Sequence, residues 1–378
     1  MIERKNEARW LEKYHRWQIN VQRNGHRKTF YSKIPGTKGK IEAERQADKW
    51  LNTCYEQPNI RFDRLYADFL AEKELHRGLS TSGIKQYTSI GRVHLLPLLA
   101  NKKAQSITQK DWQLCIDTAY TRSLANGKPI SRRMLKNIRA TIKVICSYAE
   151  RQCIPLQPPG PLVFPAMATI NQRTVLQPMD IRTVFSHTDY QLANGDTRLF
   201  WYIHLIRFIL FTGLRPGEAI GIQPEQDIRG DHLHIQRSIN YHGEITQGKN
   251  KNARRVLYLS PTLRRIVDDQ LGMLQEHNVE SPWLFPGKSG DFARQSTVYR
   301  IWRQYRDYHG LSASHVYELR HTMATATKHE LPEHLLKMIL GHSAGMDTYG
   351  TYVHEYSDDL MIAAEATERA YHKILGLE

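Results

Sequence analysis

The chain has 378 residues, which is long for one hydrophobic core and predicts two or three domains. Its 53 lysines and arginines, against 38 aspartates and glutamates, give a formal net charge of +15 and a pI near 9.6. Such a charge favours a polyanionic partner, because binding to phosphates releases the counterions condensed on them. Nucleic acid is the leading candidate, although net charge alone also fits a basic protein with another role.

Cysteine usage and hydropathy exclude several other classes. The four cysteines form no CxxC pair and no zinc-like pattern with histidine, and we expect them to be buried thiols in a reducing cytoplasm. The start MIERKNEARW has no apolar core and indicates no secretory signal. The most apolar run, residues 199–211, is too short to span a membrane and contains His204 and Arg207, so it predicts a core helix.

Residues 1–56 predict a small β-rich unit with one helix. Apolar and polar residues alternate from Trp17 to Val21, and the Asn24-Gly25 pair is typical of a tight hairpin turn. The second strand is marked by Phe30, Ser32 and Ile34, and one face of the helix by Ala43, Ala47, Trp50 and Leu51.

Residues 60–153 predict a helical domain. Thr108-Gln-Lys-Asp111 is typical of a capping box, and Ser131 can cap the following helix. That helix carries two stripes roughly 110° apart at about 100° per residue. The apolar stripe is Ile138, Ile142, Ile145, Cys146 and Ala149, and the basic stripe is Arg132, Lys136, Arg139 and Lys143. Because the basic stripe lacks interleaved acids, it favours contact with DNA over the alternative of a solvated face.

A proline-rich segment, QCIPLQPPGPLVFP, follows at residues 152–165. Its prolines prevent a continuous helix and favour an extended, stiff path. It predicts a domain boundary, although a structural loop would have the same composition. We therefore divide the chain into residues 1–56, 57–156, a linker at 157–171, and 172–378.

From about residue 172 the pattern predicts helices with one small β meander. Leu233 and Ile235 alternate with polar residues in the segment 231–238, residues 241–244 form a turn, and RRVLYL from Arg254 forms a further strand. Lys249 lies at the tip of this meander.

Dispersed motifs in this region carry residue types that can hold and cut a phosphodiester. They are TGLRPGE with Arg215, the hairpin with Lys249, YELRHT with Arg320, LGHS with His342, and Tyr352. Two guanidiniums can grip the non-bridging oxygens of a phosphate, a lysine can protonate the departing alkoxide, and a tyrosine can attack without a metal.

The run TGLRPGEAIGI, then the lysine hairpin, LRHTMAT and LGHSAGMDTYGTYVH, resembles the tyrosine recombinases, the integrases of phages and transposons. The resemblance is close over residues 172–378. It implies a mainly α fold with small β elements: a three-stranded arm-site DNA-binding domain, a helical core-binding domain and a mixed α/β catalytic domain. The implied function is a site-specific DNA recombinase that integrates or excises a mobile element through a 3′-phosphotyrosyl intermediate.

The resemblance implies a role for each motif residue. Arg215, Arg320 and His342 would bind the scissile phosphate, Lys249 would be the general acid, and Tyr352 would be the nucleophile. Glu218, in the same helical turn as Arg215, is expected to orient neighbouring groups.

Two of these assignments have rivals. Lys251 competes with Lys249, and Tyr349 and Tyr356 compete with Tyr352. The stretch KNKNARRVLYL resembles the integrase form KTKxxRRxxPL, whose first lysine is catalytic, and the YVH ending resembles the YxH of many integrases.

Position 317 departs from the family's common HxxR pattern. Tyr317 can donate a hydrogen bond to a phosphate oxygen or to the nucleophile. At its usual pKa, however, a phenol cannot share a proton near neutrality as an imidazole does. A YxxR form therefore puts general-base catalysis at this position in doubt.

The resemblance also implies partners. The arm-domain phosphate contacts would be Arg16, Arg23, Arg27, Lys28 and Lys33, although a solvated basic hairpin would carry the same residues. The expected partners are duplex DNA with core and arm attachment sites, further copies of the chain in a tetramer, and accessory bending or excision factors. The expected location is the bacterial cytoplasm, and no metal or other cofactor is expected.

The amphipathic tail from residue 357 needs a surface to bury against. In similar integrases the terminal helix docks on a neighbouring subunit, and packing within the chain fits the sequence equally well. Three other functions stay open: a chromosome-dimer-resolving recombinase, a relaxing type IB topoisomerase, and an architectural DNA-binding protein that has lost cutting. Residues 1–56 argue against a minimal resolving enzyme, whereas Tyr317 keeps the architectural alternative open.

Overall fold

A computed structural model describes most of the chain. The described residues are 4, 6–23, 26–52, 59–75, 81–127, 129–169, 174–247, 254–312, 315–341 and 358–377. The chain divides into two compact units, residues 1–171 and 172–378.

The N-terminal part of the first unit is a three-stranded antiparallel sheet with one helix. Its strands are β1 (Arg9–Leu11), β2 (Arg16–Arg23) and β3 (His26–Ser32), in that order, and its helix is α1 (Gly36–Asn52). Alternation on the central strand β2 turns Ile19 and Val21 inward, where they pack with Ala43 and Ala47 of α1. The predicted second strand ends two residues early, and Ile34, which precedes Pro35, is exposed.

The rest of the first unit is helical, as predicted. Its helices are α2 (Phe62–Leu75), α3 (Thr81–Ile90), α4 (Leu96–Leu99), α5 (Gln109–Ala125) and α6 (Arg132–Arg151), with a π-helical turn Gly91–Leu95 joining α3 to α4. Both predicted helix starts are confirmed: Asp111 accepts the Thr108 N–H, and Ser131 accepts the Met134 N–H. The apolar stripe of α6 is buried in the core of this domain.

The proline-rich segment lies along α5. Trp112 Nε1 donates to the Gln157 carbonyl at 3.0 Å, and Gln109 Oε1 accepts the Gly160 N–H at 2.7 Å. The Gln113 side chain accepts the Val163 N–H at 3.0 Å and donates to the Val163 carbonyl at 2.9 Å. Side chains of α5 thus supply hydrogen-bond partners for backbone groups of the proline-rich segment, which forms no strand. Up to residue 169 the segment packs as part of the helical unit.

The second unit is a helical domain with small sheets. Its helices are α7 (Pro178–Ser186), α8 (Ile203–Thr212), α9 (Pro216–Ile220), α10 (Pro224–Asp227), α11 (Pro261–Glu276), α12 (Gln295–His309), α13 (Glu318–Ala326), α14 (Glu333–Leu340) and α15 (Asp359–Leu375). The predicted core helix is α8, and every one of its residues is buried. It begins later than the apolar run, because β5 (Thr197–Leu199) pairs with β4 (Asp189–Gln191) before it.

The meander is split into two sheets. Strands β6 (Ile228–Arg229), β7 (His232–Ile235) and β10 (Arg255–Tyr258) form one sheet, in the order β10-β7-β6, and β8 (Ser238–Ile239) and β9 (Ile245–Thr246) form another. The predicted strand at 231–238 is therefore two strands. At the break, Arg237 donates to the Asp227 carboxylate at 2.6 Å and to the Gly221 carbonyl at 3.1 Å.

The C-terminal helix α15 packs against its own unit. Ala363, Ala366 and Tyr371 belong to the core of that unit, and the Tyr371 hydroxyl donates to the Leu210 carbonyl of α8. Of the two alternatives for the amphipathic tail, residues 359–375 thus take the packing within the chain.

Cys115 and Cys146 are buried free thiols, and burial raises the pKa of each to about 12. Cys153 is half-buried, and Cys54 lies outside the described residues. In the ranges given above, no helix is long and apolar enough to cross a membrane.

Candidate active site

Arg215 lies at the N-terminus of α9, where Pro216 occupies the first helical position as predicted. Its backbone N–H donates to Glu218 Oε2 at 3.1 Å, and its Nη1 donates to Glu218 Oε1 at 2.7 Å. The Arg215 side chain is 28% exposed, whereas that of Glu218 is 3% exposed. The carboxylate therefore holds a guanidinium that solvent, or an anionic ligand, can still reach.

Glu218 is shared by two arginines. Arg255, the first residue of β10, donates from Nη2 to Glu218 Oε2 at 2.9 Å. Burial alone would raise the pKa of Glu218, but Arg255 and then Arg215 outweigh burial and hold that pKa below its usual value. The expected orienting role of Glu218 is therefore matched by its contacts.

Arg320 lies two residues into α13 and is only 2% exposed. Its Nη1 donates to the Gly213 carbonyl at 2.9 Å, and its Nη2 donates to the Leu340 carbonyl at 2.6 Å. Burial, and then the neighbouring positive charge of Arg215, lower its pKa to about 10, so Arg320 is a cation at neutral pH.

The structure thus brings Arg215 and Arg320 together, far apart though they are in sequence. Arg215 and Arg255 both bind the buried carboxylate of Glu218, and Arg320 is near enough for its charge to interact with all three, so the cluster has an excess of positive charge. Such a cluster, with part of Arg215 exposed, is suited to bind a phosphate.

Tyr317 precedes α13 and is 42% exposed. Its ring lies edge-on to that of His321, with centroids 5.5 Å apart. The phenol is close enough to interact electrostatically with Arg320 and with Tyr299. Burial, and then neighbouring tyrosines that include Tyr317, raise the pKa of Tyr299 to about 12. Tyr317 therefore lies beside the arginine cluster, while its role stays a prediction.

Three proposed catalytic residues, Lys249, His342 and Tyr352, lie outside the described residues, as do their rivals Lys251, Tyr349 and Tyr356. The helix before His342 is described: α14 ends as predicted at Gly341, which has φ +62. The Leu340 carbonyl that Arg320 binds is thus two positions before His342 in the chain.

Sequence reasoning missed Arg255. Its strand was predicted from the RRVLYL stretch, and a cation inside an alternating strand was a signal that it needs a buried partner. Nothing in the pattern, however, indicated which of the two adjacent arginines is buried, or that its partner is Glu218.

The basic stripe of α6 lies on the surface of the first unit. Arg132, Lys136 and Lys143 are exposed, whereas Arg139 is half-buried, with its guanidinium 5.1 Å from the Phe164 ring centroid. Three members of the stripe are therefore free of burial, and contact with DNA stays a prediction for all four.

The N-terminal basic residues differ in exposure. Arg27, Lys28 and Lys33 are exposed, and the side chain of Arg23 is outside the described set. Arg16 is half-buried between two tyrosines, 5.0 Å from the Tyr14 ring centroid and 4.7 Å from that of Tyr31, and donates to Gln18 at 2.7 Å. Arg16 is thus held by two aromatic rings and one hydrogen bond.

The fold matches those of solved integrases. The Tn1549 transposon integrase in complex with transposon right end DNA superposes with a TM-score of 0.60 at 16% identity, over 84% of this chain and 100% of that one. A lambda integrase tetramer bound to a Holliday junction matches with a TM-score of 0.57 at 14% identity, over 90% and 97%. A lambda integrase dimer bound to a COC′ core site matches with a TM-score of 0.56 at 14% identity, over 93% and 95%.

No curated protein sequence matches the chain. Residues 174–358, which include Arg215, Arg255 and Arg320, match the phage integrase family. The chain therefore contains a phage integrase family domain over residues 174–358, within a fold that the solved integrases share.

Proposed function

We propose that this protein is a site-specific DNA recombinase that cuts and rejoins duplex DNA through a 3′-phosphotyrosyl intermediate, as an integrase of a mobile element. The observation that carries the proposal is the cluster of Arg215, Arg255 and Arg320 around Glu218, in the domain that matches the integrase family. Its excess positive charge can stabilise the extra negative charge that a phosphate gains during attack.

In the proposed reaction Arg215, Arg320 and His342 hold the scissile phosphate, with Tyr317 as a further hydrogen-bond donor. The phenol of Tyr352 gives up its proton to solvent and attacks phosphorus, so that an oxygen–phosphorus bond to tyrosine forms as the bond to the 5′ oxygen breaks. Lys249 donates a proton to the departing 5′ oxygen. A 5′ hydroxyl from a partner strand reverses the step, and no ATP is consumed because the phosphodiester energy is kept in the tyrosyl ester.

The proposed partners are duplex DNA with core and arm sites, and further copies of the chain in a tetramer. The solved structures with this fold include integrases bound to DNA, one of them a tetramer on a Holliday junction, which supports this choice. In the proposed division of labour, residues 1–56 bind arm sites, residues 57–156 bind the core site and residues 172–378 cut.

The test is covalent trapping. A site is first selected from a random duplex library with the Tyr352→Phe variant, and a nicked duplex carrying it is then offered to the wild type and to both Tyr352→Phe and Tyr356→Phe. We expect a covalent protein–DNA adduct with the wild type and Tyr356→Phe, and none with Tyr352→Phe. A selected site that is bound tightly but yields no adduct with the wild type would favour an architectural protein over a recombinase.

Two further measurements separate the enzymatic alternatives. Strand exchange that needs two sites is expected of a recombinase, whereas relaxation of a supercoiled plasmid that needs only one would indicate a topoisomerase. Arg320→Ala is expected to abolish the adduct and largely spare binding, because contacts in the first unit would supply most of the phosphate neutralisation.

A further inference from the structure

Arg255 connects two parts of the candidate active site. Its Nη2 donates to Glu218 at 2.9 Å, and Glu218 in turn holds Arg215. Its Nε donates to the Ile339 carbonyl, in the last turn of α14, at 2.5 Å. One guanidinium therefore bridges the turn that presents Arg215 and the end of the helix that precedes His342 in the chain.

Arg320 makes a second connection between the Gly213–Glu218 turn and the end of α14. It donates to Leu340, the last residue of α14, and to Gly213, the residue at which α8 ends. Hydrogen bonds thus run from the Gly213–Glu218 turn through Arg255 to α14, and from α14 through Arg320 back to the same turn.

The two arginines also donate hydrogen bonds to the C-terminus of α14. The last carbonyls of a helix have no partner within the helix, and this end carries the negative pole of the helix dipole. Ile339 and Leu340 supply two of those carbonyls, and each accepts a hydrogen bond from a guanidinium. A cation is favoured at this position, so the contacts hold the end of α14 at a fixed distance from Arg215.

We propose that Arg255 is a positioning residue for DNA cleavage, which fixes the Arg215 turn and the end of α14 relative to each other without contacting the phosphate. Its side chain is 8% exposed, against 28% for Arg215, and its Nη2 and Nε donate to Glu218 and to the Ile339 carbonyl, so Arg215 is the more accessible of these two arginines. The inference rests on the proposed function, since it assigns a part of the same reaction.

Lysine is expected to replace Arg255 poorly. A guanidinium presents donors on separate nitrogens in a rigid plane, whereas an ammonium is a single point charge on a flexible stem. Arg255→Lys therefore keeps the charge beside Glu218 but cannot reproduce the planar bridge to Ile339.

The experiment compares Arg255→Met and Arg255→Lys with Arg254→Met, whose wild-type side chain is the exposed neighbour. Adduct formation is timed at saturating nicked duplex, and DNA affinity is measured by fluorescence anisotropy with the same selected site. We expect Arg255→Met to slow adduct formation about 100-fold, the loss that a small misplacement of catalytic groups can cause. Its affinity should change no more than that of Arg254→Met, and Arg255→Lys should be slowed as well.

A pH profile separates positioning from a general loss of structure. Glu218 faces Arg215 from its own helix, Arg255 from β10 and Arg320 from α13. Without Arg255 its pKa should rise, so adduct formation by Arg255→Met should fall more steeply as the pH is lowered than it does for the wild type or Arg254→Met. When each rate is divided by the folded fraction measured at the same pH, a merely destabilised protein would show the pH dependence of the wild type.

Several outcomes would overturn the inference. Arg255→Met that forms adduct as fast as Arg254→Met, or Arg255→Lys at the wild-type rate, would reject a bridging role. If Arg255→Met does not fold, the bridging role is tested by the rate of adduct formation with the charge-preserving Arg255→Lys. Failure of the proposed function is a separate result, because it would be seen as the absence of adduct with the wild type.

Discussion

Gly213 and Leu340 are in close contact: a β carbon at Gly213 would lie 2.7 Å from Leu340 Cδ2 and 3.1 Å from Met323 Sδ. Gly213 also has φ +64, in the left-handed region that side chains disfavour, and its carbonyl accepts from Arg320. Conformation and packing therefore both require glycine at the turn between α8 and Arg215.

We expect Gly213→Ala to lower the free energy of unfolding by about 2–4 kcal/mol, from backbone strain and overpacking combined. Gly310→Ala is the matched control, because Gly310 has the same φ of +64 and open space around it. That variant should lose only about 1 kcal/mol. Urea unfolding measures both, and equal losses would show that the contact with Leu340 contributes nothing.

Arg207 is a buried cation that binds backbone carbonyls. It donates to the carbonyls of Val184, Phe185 and His187, at 3.0, 3.1 and 3.2 Å. Arg207→Met would take this donor from the Val184 and Phe185 carbonyls, whereas the His187 carbonyl keeps the Tyr305 hydroxyl, and we expect a loss of about 2–4 kcal/mol in the free energy of unfolding. Arg303→Met, at an exposed position of α12, should stay within about 0.5 kcal/mol of the wild type in the same urea titration.

His204 links the stability of the second unit to pH. Burial, and then the charge of Arg207, lower its pKa to about 4. In the unfolded chain this histidine has an ordinary pKa of about 6.5, so as the pH falls it takes up a proton before folded His204 does. The stability that neutral, buried His204 contributes is therefore present at pH 7 and lost as the pH falls towards 4.

Between pH 7 and pH 5 we expect His204 alone to cost about 2 kcal/mol of stability. His204→Phe should therefore lose less stability over this interval than the wild type, whereas His232→Phe, at an exposed position, should follow the wild type. Urea midpoints at the two pH values test the difference. Parallel losses in all three proteins would contradict the assignment.

The sequence indicated the site only in part, for physical reasons. Arg215 and Glu218 could be placed because Pro216 fixes the start of a helix and the residue three positions on faces back to the N-terminus. Arg255 could not be placed in this way, because alternation in a strand indicates which face is buried but not which carbonyl or carboxylate binds a side chain on that face. The packing of α15 was open for the same reason: an amphipathic pattern reports a buried face and leaves its partner undetermined.

The Tyr371 hydroxyl, fully buried, connects α15 to α8 through the Leu210 carbonyl. Tyr371→Phe keeps the ring and removes this hydrogen bond, and we expect a loss of about 1–2 kcal/mol in the free energy of unfolding. Tyr308→Phe, which removes a hydroxyl from a half-exposed ring, should be nearly neutral. Both are measured by urea unfolding of the full chain, and a neutral Tyr371→Phe would mean that α15 does not depend on this bond.

The basic stripe of α6 can be tested through the salt dependence of binding. If Lys136 neutralises a phosphate, Lys136→Ala should reduce the slope of log Kd against log salt by about 1, because one fewer counterion is released. Lys110→Ala removes the same charge from an exposed position of α5 in the same domain. Its slope should stay near that of the wild type, since long-range charge is screened within about 10 Å at ordinary ionic strength. Equal slopes for the two variants would mean that Lys136 neutralises no phosphate and is a solvated residue of the stripe.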